Sequence, residues 1–177
     1  PIGDEGEICI AGPAVMLGYL NHPEETAKTL QKHADGRIWL HTGDIGYMDA
    51  DGYSYFKLRE KRMLKVSGVN VYPAQVEETV RKHPLVDQAC VVGIPDKAQM
   101  TRVKVFVILK DPSKESDAVK EDILNFCRSE LLKWEAPREV EFRKELPKTL
   151  VGKIAWKELE NQELEKLKAE KKYPFDQ

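Results

Sequence analysis

The chain has 177 residues, of which 41% are hydrophobic and 33% charged, and its formal net charge is −2. That length holds one ordinary domain, or one domain and part of another. The near balance of charge gives no global field for nucleic acid or an anionic membrane surface, and no apolar run approaches the roughly 20 residues that cross a bilayer.

The chain opens on Pro1-Ile2-Gly3-Asp4. It has neither an initiator Met nor a signal peptide, and reads as a cut made inside a longer protein. Glu7-Ile8-Cys9-Ile10 and Arg37-Ile38-Trp39-Leu40 are short strand-like runs. Between them Pro23 opens a short helix, with Glu24 and Glu25 at its positive end. Asp51-Gly52 is a tight-turn signal, and Tyr53-Ser54-Tyr55-Phe56 follows as a third strand. Short strands and many turns predict a small core for this first section. A basic, polar run from Lys57 to Lys65 marks a junction near Lys61 and Arg62.

Beyond the junction the pattern changes. Val69-Asn70-Val71-Tyr72 is strand-like, and Pro73 starts a helix with Val76 and Val80 on one face, ended by His83-Pro84. The nearly continuous apolar run over residues 86–94 predicts a central strand, and residues 103–109 its partner. Residues 116–133 predict a helix with Val119, Ile123, Phe126, Cys127 and Leu131 near the 3.6 period. Val140-Glu141-Phe142 suits a short edge strand. Residues 156–172 form a last helix, dense in Glu and Lys at i,i+4 spacing with only a thin apolar stripe, so its charges read as a solvated face. The fold class is α+β: a small sheet with helices packed against it, preceded by a short β-rich section.

Cys9, Cys90 and Cys127 are odd in number and far apart in apolar neighbourhoods. They suit small buried hydrophobes in a reducing compartment better than disulfides or a metal site. His22, His33, His41 and His83 are scattered, none with a Ser or Cys at a spacing that suggests nucleophilic catalysis.

Two polar segments far apart in sequence carry the strongest signal. The first holds Thr42-Gly43-Asp44, Asp51-Gly52-Tyr53 and the run from Arg59 to Gly68; the second runs from Leu146 to Ile154 through Gly152-Lys153. With Gly6-Glu7-Ile8-Cys9-Ile10-Ala11-Gly12-Pro13, Trp39-Leu40-His41, Lys65 to Pro73 and Val91-Val92-Gly93-Ile94-Pro95-Asp96, they form ordered blocks along nearly the whole chain. These blocks resemble the closing motifs of the adenylate-forming enzymes, the family of acyl-CoA synthetases, adenylation domains and luciferases. Their style is similar to that of bacterial fatty-acyl-CoA ligases. Three positions depart from the pattern: Leu58 stands where a glycine is usual, Met100-Thr101 where a Gly-Glu pair is frequent, and Glu135 where a basic residue is usual.

The resemblance implies that residues 1–60 are the end of a large AMP-binding domain and residues 61–177 a small, mobile C-terminal lid. It implies a cytoplasmic ligase that uses ATP and CoA as substrates, with a carboxylic acid, converting the acid to acyl-AMP and then to acyl-CoA. The missing N-terminal domain is the implied partner, and the ligands of an expected Mg²⁺ would lie in that part, none of them here. Neither nucleic acid nor a membrane segment is implied. A domain that loads a carrier protein is an alternative, and so is a silent lid or binding module.

Residue roles follow from the same resemblance. Asp44 would clamp the ribose hydroxyls, with Thr42 beside it, because a carboxylate accepts two hydrogen bonds; the plain reading is a turn aspartate after Gly43. Arg59 would reach ribose or phosphate through its planar fork; otherwise it is a surface arginine. Lys153, on a loop that Gly152 lets turn sharply, would serve adenylation by bridging the substrate carboxylate and the α-phosphate. Lys65, Ser67 and Gly68 would form the thiolation face, with the plain alternative of a hairpin end. Lys61 and Arg62 would be the hinge. His41, beside Thr42, would support the nucleotide site without touching it.

Overall fold

A computed structural model describes residues 2–59, 62–170 and 173–174. The chain folds as two compact units, Pro1–Arg62 and Met63–Gln177.

In the first unit a single long strand organises everything else. Strand β3 (Ile38–Met48) pairs antiparallel with β1 (Gly6–Ile10) along one edge. Along its other edge it takes β2 (Leu30–Lys32) and then β4 (Ser54–Arg59). Helix α1 (Pro23–Thr29) begins at Pro23 as expected. Two boundaries differ from the sequence reading. Thr42-Gly43-Asp44 is not a turn but the middle of β3, and Lys57-Leu58-Arg59 belongs to β4 rather than to a polar linker. The Asp49–Tyr53 turn joins the two strands, and pairing across it draws both polar stretches into the sheet. The described residues of this unit leave Leu17, Leu20, Tyr53 and Phe56 largely in solvent, and both clusters of buried apolar side chains lie in the second unit.

The second unit opens with a hairpin, β5 (Leu64–Val66) and β6 (Val69–Val71), followed by α2 (Pro73–Lys82). Strands β7 (Val86–Asp96) and β8 (Met100–Leu109) pair antiparallel, and β9 (Glu139–Phe142) joins β8 in parallel. Between β8 and β9 lies α3 (Asp117–Glu130), whose N-cap Ser116 accepts a hydrogen bond from the Val119 amide. Helix α4 (Trp156–Ala169) closes the unit. The sheet order is β7-β8-β9, so β8 is the middle strand and the apolar run of β7 lies at an edge. That run reports burial from both faces, which a sheet edge covered by helices supplies equally well.

Alternation along β7 and β8 splits the core in two. Ala89, Val91, Val103, Val105 and Val107 face a cluster with Val76 and Val80 of α2, Ile123 and Cys127 of α3, and Val66 and Val71 of the hairpin. Cys90, Val92, Ile94 and Phe106 face the other way, toward Leu146 and toward Leu159 and Leu167 of α4. Helices thus cover the small sheet on both sides. Helix α4 also departs from expectation, because Glu163 is only 3% exposed. Its carboxylate lies 2.8 Å from the ammonium of Lys104, which is wholly buried on β8 and equally close to Glu139 and Glu141 of β9.

Candidate functional site

Asp44 and Arg59 are direct cross-strand neighbours on β3 and β4. Opposite charges at such a pair attract, and Nη1 of Arg59 lies 3.4 Å from Oδ1 of Asp44. The approach is an ion pair without hydrogen-bond geometry: Oδ1 is buried and accepts no hydrogen bond. A buried carboxylate oxygen without a donor is costly. The pair therefore presents an acceptor short of partners beside a guanidinium with donors to spare.

The backbone around Asp44 is bulged. Glu7 pairs with Ile45 and Cys9 with His41, so Ile8 alone on β1 faces three residues of β3. Gly43 sits in the middle at φ +72°, in the left-handed region that glycine enters without penalty. Side chains satisfy the groups that the ladder leaves over. The Thr42 hydroxyl donates to the Ile8 carbonyl at 2.7 Å and accepts from the Asp44 amide at 3.1 Å. Glu7 accepts from the Gly43 amide at 2.8 Å and, with its other oxygen, from Nδ1 of His41 at 2.6 Å. His41 Nε2 lies 2.9 Å from Nε2 of His33, which stacks on Trp39. The Thr42 hydroxyl is thus committed to the protein on both sides.

Cys9 corrects one expectation. It is half-buried rather than a core residue, with Sγ 3.7 Å from Nδ1 of His41. Burial and the adjacent Glu7 carboxylate push its thiol up, which keeps it protonated and a poor nucleophile at neutral pH. Cys90 and Cys127 are buried as expected.

In the second unit, Ser67 and Gly68 are the two central residues of the β5–β6 turn, at φ +51° and +83°. Positive values at both positions belong to the tight hairpin turn that matches strand twist. The Ser67 amide donates to the Gln99 carbonyl at 2.9 Å, which anchors the turn. Lys65 is exposed and faces Asn70 across the hairpin. Space beside Gly68 is open.

Lys153 stands on a separate loop just before α4. The loop closes on itself: the Gly152 amide donates to the Thr149 carbonyl at 2.8 Å, the Thr149 amide to the Lys153 carbonyl at 2.7 Å, and the Lys153 amide to the Thr149 hydroxyl at 3.2 Å. Lys148 and Ile154 form an antiparallel bridge across its base. Buried Leu146 and the half-buried Ile154 root the loop, while Leu150 and Val151 project fully at its tip. Lys153 is exposed, and its ammonium has no hydrogen-bond or ion-pair partner among the described residues.

The structure therefore groups Asp44, Arg59 and Thr42 on one sheet, and Lys65, Ser67 and Gly68 on one hairpin, with Lys153 on its own loop. Lys61 lies outside the described residues, and Arg62 ends the first unit. Sequence reasoning did not single out Glu7, His33 or Lys104. Glu7 and His41 lie 34 positions apart, and only strand pairing joins them. Lys104 did carry a signal, as a charged residue between two valines in the apolar stretch of β8.

Two clusters among the described residues bring three potential metal ligands together: Glu7, Cys9 and His41, and Glu139, Glu141 and Glu163. Both are already occupied by protein groups. In the second, the Lys104 ammonium already fills the centre. In the first, both Glu7 oxygens are engaged by Gly43 and His41. These residues do not fit Mg²⁺.

Comparison with known proteins places these motifs. Residues 75–153 match the AMP-binding enzyme C-terminal domain. The chain is 44% identical over 160 residues to a long-chain-fatty-acid–CoA ligase of Salmonella typhimurium, covering 90% of this chain and 27% of that protein. It is 45% identical to the enzyme of the same name from Bacillus subtilis, covering 92% and 28%. Among solved structures, ATP-bound MatB from Rhodopseudomonas palustris superposes with a TM-score of 0.77 at 29% identity, covering 92% of this chain and 31% of that one. The chain thus spans about 27% of the length of the curated relatives it matches. No helix among the described residues is long and apolar enough to cross a membrane. Residues 75–153 thus belong to the AMP-binding enzyme C-terminal domain family, and over nine-tenths of its length the chain is similar to adenylate-forming acyl-CoA ligases.

Proposed function

We propose that the chain is the C-terminal part of an ATP-dependent acid–thiol ligase acting on a long-chain fatty acid. The carboxylate oxygen attacks the α-phosphorus of ATP; its P–O bond to pyrophosphate breaks with the electron pair leaving on pyrophosphate. The thiol sulfur of CoA then attacks the acyl carbon, AMP leaves, and the thiol proton goes to solvent. The observation that carries this reading is the pairing of Asp44, whose side chain is 28% exposed, with the Arg59 guanidinium on the adjacent strand, where the carboxylate accepts no hydrogen bond among the described residues. A ribose diol supplies two hydroxyl donors to such a carboxylate, and a phosphate oxygen suits the guanidinium.

The other unit contributes cations. The exposed ammonium of Lys153, without a partner among the described residues, suits the charge that develops between the substrate carboxylate and the α-phosphate. Lys65 and the Ser67–Gly68 turn are assigned to the thiol step: the turn offers open space for an extended thiol arm, and Lys65 meets the departing phosphate. The exchange between the two half-reactions is assigned to a pivot at Lys61 and Arg62. Mg²⁺ accompanies the ATP, held by residues outside this chain. A long-chain fatty acid is the substrate suggested by the names of the relatives above.

The test uses a protein extended upstream to the length of those relatives. Wild type should form acyl-AMP from fatty acid and ATP, and pass it to CoA without a carrier protein. Lys153→Ala should lower acyl-AMP formation on the order of 100-fold, yet leave the transfer of preformed acyl-AMP to CoA largely intact. Asp44→Asn should weaken ATP binding and leave the acid's KM unchanged. The 177-residue chain alone should form no acyl-AMP. Full adenylation by the Lys153 variant, or by the chain alone, would overturn the assignment.

A further inference from the structure

The bulge at Asp44 needs a reason to stay in place. Three residues of β3 face one residue of β1, and Gly43 occupies the left-handed region. A bulge of this kind removes ladder hydrogen bonds and leaves the freed groups to find other partners. Without such partners β3 would gain by slipping toward regular pairing. That would turn the Asp44 side chain to the opposite face, because side chains alternate along a strand.

Glu7 supplies what the ladder lacks. It sits on β1 beside the distortion, and its two carboxylate oxygens divide between the residue just before the bulge and the glycine at its middle. Oε1 takes the Gly43 amide at 2.8 Å and Oε2 takes Nδ1 of His41 at 2.6 Å. The carboxylate thus holds the residue before the bulge and the left-handed residue within it at fixed separation. His41 is oriented in turn. Its Nδ1 meets Glu7, and its Nε2 lies within hydrogen-bond distance, 2.9 Å, of Nε2 of His33. Charge-assisted hydrogen bonds such as these are the strong ones, and the Glu7 side chain is only 27% exposed.

We propose that Glu7 is the positioning residue for the nucleotide carboxylate: it clamps the Thr42–Asp44 bulge so that the Asp44 oxygens point toward the ribose hydroxyls beside Arg59. Glu7 itself touches neither nucleotide nor acid. The proposal rests on the functional reading above for the ligand, but not for the clamp. The Thr42 hydroxyl completes the clamp from within by bridging the Ile8 carbonyl and the Asp44 amide.

Two measurements test it. In the extended protein, Glu7→Ala should raise the KM for ATP about tenfold or more, tenfold being near the low end of what one charge-assisted hydrogen bond is worth. The KM for the acid should hold, and kcat should fall by less. Glu7→Gln keeps an acceptor for the Gly43 amide and should restore most of the ATP affinity. A residue with a merely structural role would lower the thermal midpoint or the yield and leave the KM ratio unmoved. In the 177-residue chain, amide hydrogen exchange at Gly43 should speed up in Glu7→Ala and return toward wild type in Glu7→Gln.

An unchanged ATP KM in folded Glu7→Ala protein overturns the positioning role, and an unchanged Gly43 exchange rate overturns the clamp. If wild-type extended protein makes no acyl-AMP, the functional reading fails instead, and the exchange measurement still decides whether Glu7 holds the bulge.

Discussion

Replacing Lys104 by Met is the sharpest test of how the second unit is held together. The ammonium is wholly buried and lies 2.8 Å from carboxylates on Glu139, Glu141 and Glu163, so it ties β8 to β9 and to α4 at one point. Met keeps the stem but removes the charge. Three carboxylates then crowd a small volume, one of them on a residue only 3% exposed. Removing one partner of a buried ion pair costs about 3–5 kcal/mol. For a unit of roughly 115 residues each kcal/mol moves the midpoint by about 4 °C, so the loss is ~12–20 °C. Far-UV circular dichroism of the full chain suits the assay, because α2, α3 and α4 all lie in the second unit.

The pH profile adds a signature. Burial opposes charge on Lys104, but the hydrogen bonds it donates to Glu139, Glu141 and Glu163 outweigh that and raise its pKa. That contribution is fully present below the ordinary lysine value and is lost as pH climbs through the raised one. Burial likewise opposes charge on Glu141, but Lys104, Arg143 and Lys166 outweigh it and hold the carboxyl below its usual range. Its contribution is present above that range and disappears as pH falls through the lowered value. Wild type should therefore weaken at the acid end. Lys104→Met should do the reverse near pH ~4, since protonation relieves the crowded carboxylates. The double variant Lys104→Met with Glu163→Leu should recover part of the loss, because an apolar pair can replace a buried ion pair. A single variant within about 1 kcal/mol of wild type, below the range for broken buried pairs, would refute the argument.

Other outcomes follow from local geometry. Burial pushes the Cys127 thiol up to about 11, so iodoacetamide at pH 8 should leave it unmodified until the second unit unfolds, as read by mass spectrometry with and without urea. Gly68→Ala places a Cβ at φ +83° in open space; it should cost the unit about 1 kcal/mol in a urea titration through backbone strain alone. Gly46→Ala should cost more, because its Cβ would lie 2.3 Å from the Tyr55 carbonyl oxygen, and the β3–β4 pairing that presents Asp44 to Arg59 should show faster amide exchange.

The sequence by itself settled the elements with strong local signals. Proline starts α1 and α2, the 3.6 period of apolar residues marks α3, and the apolar runs of β7 and β8 follow from residue chemistry within a few positions of each element. The family was legible because its blocks are contiguous: Thr42-Gly43-Asp44 or Gly152-Lys153 needs no partner to be recognised. Pairwise facts across long separations were not legible. Nothing near Asp44 in the chain says that it faces Arg59, that β3 bulges there, or that Glu7 holds the bulge; strand register decides all three. Nor does the run of Glu and Lys in α4 say which charge is buried. Glu163 goes inside because Lys104, 59 positions earlier on β8, requires a counter-charge there, and α4 is the element that covers that face of the sheet. Local propensity acts over a few residues, whereas pairing and burial are set by which surfaces meet, and only the tertiary structure determines that.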